Sequence, residues 1–360
     1  MAGIYIHIPF CKSRCIYCDF YSTTMSGDRI LFVERLLQEA RQRNSFLSEP
    51  VRTVYIGGGT PSQLPTDVLH KLTDGLHEVF DLTEVLEFTL EVNPEDVTPA
   101  FASSLPPCIN RISMGVQSFV DAELQIIHRR HNAQKPTEAI RLLREVAGIQ
   151  NISIDLMYGL PQQTLESFRC SIEQAIRLAP QHISAYNLSV EDGTPLSRLV
   201  NEGKLQVADD ELCLSMNSLL RQLLLQAGYR QYEISNYALP GFESKHNSSY
   251  WVQTPYLGLG PGAHSYDGAR LRSWNSPDLQ AYLKGNRHSE SETLTDDDLF
   301  NEQIMLGLRT AQGAILADSP ERQSLLSRDL ITPASEPSRF RLTASGLALA
   351  DEIIRELIRI

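Results

Sequence analysis

Two hydrophobic periods alternate along the first half of this 360-residue chain, and that alternation restricts its fold more than any other feature. Short β-branched runs predict strands at Ile4–Ile8, Thr53–Ile56, Glu87–Val92, Arg111–Val116, Ile152–Met157 and His182–Leu188. The 3.6-residue period predicts helices over Asp28–Asn44, Thr66–Phe80, Lys135–Val146 and Thr164–Leu178, with shorter pieces near residues 99 and 121. Strands separated by helices imply a parallel sheet with crossover connections, hence an α/β fold. Six repeats stop short of an eight-unit barrel, so a partial (β/α)6 barrel is expected, with its chemistry at the carboxyl ends of the strands. The predicted strands end on Cys11, on Gly57-Gly58-Gly59-Thr60-Pro61, on Glu91 and Asn93, on Gln117, on Asp155 and Tyr158, and on Asn187 and Glu191. Six such ends on one rim make a site.

After about residue 195 the pattern changes. A helix is predicted from Asp209 to Ala227, then an extended GYRQYEISNYA segment, then loops carrying KHNSSYW and YLGLGPGAHSY. The last seventy or so residues read as mainly helical and winged-helix-like, with Thr343 as an N-cap before a final amphipathic helix. The expected division is a barrel over 1–195, a linker and loop region over 196–288, and a helical C-terminal domain over 289–360. Residues 290–360 hold 7 Arg against 13 Asp and Glu, a net of −6, so a DNA-reading wing is not expected. The whole chain carries −12, which likewise argues against a nucleic-acid partner.

No run of about eighteen apolar residues occurs, so no membrane span is expected, although peripheral association stays open. The N-terminus lacks the basic flank and apolar run of a signal peptide, and the expectation is a cytoplasmic protein. Three of the six cysteines crowd at Cys11, Cys15 and Cys18, and three thiols cannot all pair among themselves. Cys108, Cys170 and Cys213 lie singly and read as buried or idle thiols.

The C-x3-C-x2-C spacing suits zinc or an iron–sulfur centre, because thiolates favour both. Structural zinc wants a fourth ligand, and no second pair lies nearby at finger spacing. His7 is the one candidate, but its place in the alternating Ile4–Ile8 run makes it a strand residue. In an iron–sulfur cube, three cysteines leave one iron open, and that corner can be chelated by the amino and carboxylate groups of S-adenosylmethionine (SAM).

The run Cys11-Lys12-Ser13-Arg14-Cys15-Ile16-Tyr17-Cys18 resembles the signature of the radical SAM superfamily, and Gly57-Gly58-Gly59 follows at the end of strand two, as in that superfamily. IYIHIPFC, YIGGGTP, LEVNP, RISMGVQSF, SIDLMYGLP and KHNSSYW together resemble the oxygen-independent coproporphyrinogen oxidase family, and within it the HemW branch. The resemblance implies a radical SAM barrel and a [4Fe-4S] cluster on Cys11, Cys15 and Cys18. It implies SAM contacts from Tyr5, Tyr17, Gly58, Gly59, Thr60, Glu91, Gln117, Arg129 and Asp155. It also implies haem as a ligand, through a motif standing here as His246-Asn247-Ser248-Ser249-Tyr250-Trp251. His246 is the expected axial ligand, Asn247, Tyr250 and Trp251 its companions, and His264 a secondary candidate.

Two departures choose between the branches. The oxidase motif has a further cysteine where this chain has Phe20, and the oxidase carries an arm before strand one, whereas here only ten residues precede Cys11. The expected function is therefore a haem chaperone that hands haem to an acceptor protein. The alternative is a coproporphyrinogen III dehydrogenase of porphyrin biosynthesis, and a zinc-holding binding module is a third reading. Whether SAM is cleaved is not expressed in the motif, since binding and turnover use the same ligands.

Overall fold

The computed structural model describes residues 2–25 and 27–359. Six parallel strands form its centre: β1 (Ala2–Ile8), β2 (Val51–Gly58), β3 (Glu87–Val92), β4 (Arg111–Gln117), β5 (Asn151–Tyr158) and β6 (His182–Asn187). The crossovers contain helices Arg29–Gln42, Thr66–Val79, Lys135–Glu145 and Leu165–Leu178, and shorter ones at Pro99–Ser103 and Asp121–Ile126. Local chemistry starts these helices as the sequence suggests. Asp28 accepts the Leu31 amide, and Thr164 forms a capping box with Ser167.

The period-2 alternation has a physical consequence. On one side of each strand Ile4, Ile6 and Ile8, then Val54 and Ile56, Leu90 and Val92, Ile112 and Met114 are fully or almost fully buried in one core with the crossover helices. The opposite side carries Tyr5 and His7, Tyr55, Glu91, Ser113 and Asp155, so the concave face of this partial barrel is polar and aromatic. An apolar exterior under helices with a polar interior is what leaves room for a ligand rather than a packed core.

The stretch expected to be linker and loops is structured. It supplies β7 (Arg230–Gln231) and β8 (Asn236–Ala238), antiparallel beyond β6, and β9 (Tyr256–Leu259), parallel to β1 on its free side. β10 (His264–Tyr266), β11 (Leu271–Asn275) and β12 (Ser289–Thr293) continue that edge, giving a twelve-stranded sheet in the order β12-β11-β10-β9-β1-β2-β3-β4-β5-β6-β8-β7. YLGLGPGAHSY is thus two strands and a turn. Gly258 permits it, because a Cβ there would come within 2.0 Å of the His264 carbonyl oxygen. KHNSSYW is a helix, Lys245–Trp251, whose cap comes from afar: besides Ser244, the Glu87 carboxylate on β3 accepts the amides of Lys245 (2.8 Å) and His246 (3.0 Å).

The C-terminal part mixes helix and sheet. Helices Asp296–Leu308, Pro320–Ser327 and Ala350–Leu357 pack with a three-stranded sheet, β13 (Ala314–Ile315), β15 (Arg339–Leu342) and β14 (Ile331–Pro333) in that order, over a separate core around Ile304, Leu308, Phe340 and Ile353. Among the described residues no helix is long and apolar enough to cross a membrane.

Candidate functional site

The cysteine loop leaves the carboxyl end of β1 and is tied at its base. The Cys11 amide donates to the Thr23 carbonyl (2.9 Å) and the Thr23 amide to that of Pro9 (2.7 Å). Ile16 is the anchor at the far side, buried with Ile127, Met157, Leu160 and Leu188, and its carbonyl accepts the Leu196 amide. Within the loop Arg14 donates to the Cys18 carbonyl at 3.2 Å. The three thiols share one electrostatic neighbourhood: burial first, then the Cys15 and Cys11 sulfurs, push the Cys18 thiol up to about 11.

A hydrogen-bonded chain along the rim joins two of these sulfurs. Thr60 Oγ1 donates to Cys11 Sγ at 3.5 Å, Asn93 Nδ2 to Thr60 Oγ1 at 3.3 Å, and Arg129 Nη2 to Asn93 Oδ1 at 2.6 Å. Arg129 Nη1 closes it on Cys15 Sγ at 3.6 Å, and Arg129 also donates to the Gly115 carbonyl. Asn93, which the sequence places at the end of strand three without a role, is the link between the two halves. Its sequence signal is LEVNP, one of the stretches that carry the family resemblance.

The glycine turn after β2 lies against the end of β1. Gly58 has φ +109°, a region that L side chains avoid, and a Cβ on Gly59 would meet the Phe10 carbonyl oxygen at 2.9 Å. The Gly58 amide and the Tyr55 hydroxyl both donate to the Glu91 carboxylate, at 3.1 and 2.6 Å. Even so, burial together with the Asp155 charge outweighs these bonds and raises Glu91 to about 7. Burial raises Asp155 to about 6 against opposing bonds from Ser184 and Ser113. Gln117 closes β4 with φ +68°, where the register with β5 slips by one residue, a strained position of the kind found beside ligands. Tyr17 stands beside Cys15 and Arg129, while the Tyr5 hydroxyl bonds His7 Nδ1 at 3.1 Å. Tyr5, Tyr17, Gly58, Gly59, Thr60, Glu91, Gln117, Arg129 and Asp155 all lie on or just inside the carboxyl-end rim.

Three thiols on one loop, beside a carboxylate (Glu91) and a guanidinium (Arg129) on the same rim, are a donor set that fits a thiolate-held cluster and a zwitterionic ligand. The buried Nε of Arg129 has no partner, as expected of a guanidinium shaped to meet an external anion.

His246 lies elsewhere, under the amino-end half of β2. It is fully buried, with Nδ1 at 2.8 Å from Thr53 Oγ1 and Nε2 at 2.8 Å from the Tyr250 hydroxyl, and its ring stacks on Tyr55 at 5.2 Å. Burial lowers its pKa to about 3. In this conformation both ring nitrogens are engaged, so ligation of an iron by His246 would require one of these bonds to break. Tyr250 instead faces a cleft of about 850 Å³ that Tyr5, Phe20 and His264 also line. Asn247 and Trp251 are half-buried on the same helix, and Trp251 Nε1 has no partner. Of the isolated cysteines, Cys108 and Cys213 are half-buried and Cys170 is exposed.

Comparison with known proteins agrees with this geometry. The family model described as the radical SAM superfamily matches residues 5–175. A protein of Lactococcus lactis subsp. lactis named heme chaperone HemW is 38% identical over 87% of this chain and 82% of its own length. A protein of the same name from Mycobacterium tuberculosis is 35% identical over 99% of this chain and 94% of its own. In fold, the chain is similar to the coproporphyrinogen III oxidase HemN of Escherichia coli, with a TM-score of 0.81 at 23% identity over 99% of this chain and 90% of that one. A partial barrel, a three-cysteine loop on its open rim and relatives of this identity across nearly the whole length lead to one assignment: the chain belongs to the HemW branch of the radical SAM superfamily.

Proposed function

We propose that this protein is a haem chaperone that holds a [4Fe-4S] cluster on Cys11, Cys15 and Cys18, binds SAM beside it, and passes haem to an acceptor protein. When bound, cluster and SAM together supply one-electron chemistry at a sulfonium centre. The residues that would hold SAM divide by charge. Glu91, with the Gly58–Thr60 turn, receives the amino group, and the unpartnered Nε edge of Arg129 receives the carboxylate. Asp155 and Gln117 would hold ribose hydroxyls, and Tyr5 and Tyr17 would cover the ligand with aromatic faces. Asn93 holds Arg129 and Thr60 in register.

The observation that carries the haem part is the cleft of about 850 Å³, whose lining combines the rings of Tyr5, Phe20, Tyr250 and Trp274 with the paired charges of Arg272 and Glu302. Its volume lies in the range of sites for drug-sized and cofactor-sized ligands, of roughly 300–1,000 Å³. Phe20 stands on its wall, 66% exposed, at the position where the oxidase pattern has a cysteine. That substitution favours holding a tetrapyrrole over reacting with it. The names of the relatives, heme chaperones at 35–38% identity, support the same reading. Haem titration of anaerobically reconstituted protein tests it. Saturation at one haem per chain, followed by transfer of that haem to an apo-haemoprotein, is expected. Absence of haem uptake would overturn it, and conversion of coproporphyrinogen III coupled to SAM cleavage would replace it with the oxidase activity.

A further inference from the structure

We infer that haem in this protein is ligated by His264 in the aromatic cleft, and that His246 acts as a positioning residue for the cleft wall. The inference rests on the haem-binding reading above and specifies its site. His264 lies on β10, exposed, with its ring stacked on Trp274 at 5.8 Å and an interplanar angle of 24°. Among the described residues neither of its ring nitrogens has a hydrogen bond, in contrast to both nitrogens of His246. Burial, with the Arg272 charge next, holds the His264 pKa below its usual range, so its imidazole is neutral at pH 7 and offers a lone pair.

The surroundings suit a flat, apolar macrocycle with an iron at its centre. Trp274, Phe20, Tyr250 and Tyr256 line the same cleft and can cover porphyrin faces. Arg272 is the one cation of the lining. It already pairs with Glu302, and with Glu292 at 3.3 Å, so the cleft carries no surplus positive charge. Attraction of propionates is therefore not what fills it. Ring stacking and an axial iron–imidazole bond are the interactions this wall provides.

His246 reaches the cleft only through Tyr250. The two are four residues apart on one helix, on the same face, and the His246 Nε2 to Tyr250 hydroxyl bond fixes the tyrosine ring against Tyr256, with centroids 4.7 Å apart. Thr53 fixes the imidazole from the other side. A buried histidine with two bonds in place sets a tyrosine, and the tyrosine shapes the haem wall.

The test is haem titration of the full-length, cluster-reconstituted protein, read by resonance Raman under Soret excitation, which reports the iron–imidazole bond of the haem without the cluster. His264→Ala is exposed and leaves the fold intact. It should weaken haem binding by roughly tenfold or more and lose the imidazole signature, and added free imidazole should restore the signature. His246→Gln, which keeps a polar group facing Tyr250, should bind within about threefold of the parent and keep the signature. Retention of a protein imidazole in His264→Ala, its loss in His246→Gln, or a parent complex with no imidazole ligand would each overturn the inference while leaving haem binding in place. Failure of the parent protein to take up haem would instead remove the reading on which it rests.

Discussion

Glu91 provides a quantitative check on the polar interior of the barrel, because its ionisation is coupled to folding. An ordinary glutamate titrates near 4.3, and Glu91 is raised to about 7 by burial, opposed by the Tyr55 hydroxyl and assisted by the Asp155 charge. Between those two values the native protein keeps a proton that the unfolded chain has released. Stability from this group is therefore complete below about pH 4 and declines as pH rises through about 7. The shift corresponds to roughly 3.5 kcal/mol in all, about 2.5 kcal/mol of it between pH 5 and pH 8, and since Glu91 keeps partial contact with solvent through the open rim, we assign about 2 kcal/mol to that interval. Glu91→Gln can still accept the Tyr55 hydroxyl but cannot ionise. Equilibrium urea unfolding of the apo protein at pH 5 and pH 8 reads the effect. The difference in stability between Glu91→Gln and the parent should move in favour of the variant by about 2 kcal/mol on going from pH 5 to pH 8. A difference that is the same at both pH values would refute the reasoning, because it would mean that Glu91 ionises at the rim as it does in water.

The same ionisation governs ligand binding. SAM should bind the reconstituted protein roughly tenfold more weakly at pH 6 than at pH 8, by isothermal titration calorimetry, and Glu91→Gln should flatten that dependence. Cys18→Ser should abolish iron and sulfide retention yet change apo-protein stability by less than about 1 kcal/mol in urea, since the thiol is only half-buried and the replacement is close to it in size. Glu39 is 3% exposed and bonds Arg43 at 3.0 Å, Asn275 at 2.8 Å, the Tyr282 hydroxyl at 2.7 Å and the Gly260 amide at 3.0 Å. Glu39→Ala strands these donors and should cost about 3 kcal/mol, measured by chemical denaturation, with the loss of β9–β10 protection in hydrogen exchange.

Local signals in the sequence account for the barrel and the cysteine loop. Six β-branched runs alternate because their outer faces meet helices, and the three cysteines sit within one loop, so both are written in neighbouring residues. What escaped depends on partners far along the chain. KHNSSYW has no helix signature strong enough to announce itself, and its first turn is completed by Glu87, some 158 residues earlier. The glycines of YLGLGPGAHSY suggest a loop, yet Gly258 lies in β9 and Gly260 follows it directly, held where Arg43, the cap of the first helix, donates to the Gly258 carbonyl and Glu39 on that helix accepts the Gly260 amide. The charge of Glu39 marks it as a surface residue by composition alone, and only the fold shows it as the buried knot of that edge. His246 was legible as part of a motif, but not as a residue with both ring nitrogens already engaged, because Thr53 lies on a different strand.

The claim on which the account depends is that three thiolates hold an iron–sulfur cube whose fourth iron is free for SAM. Anaerobic reconstitution followed by iron and sulfide analysis and by EPR of the reduced protein, with and without SAM, tests it directly. The account predicts about four iron and four sulfide per chain and a signal whose g-values change when SAM is added. Zinc in place of iron, or a cluster signal indifferent to SAM, would contradict it.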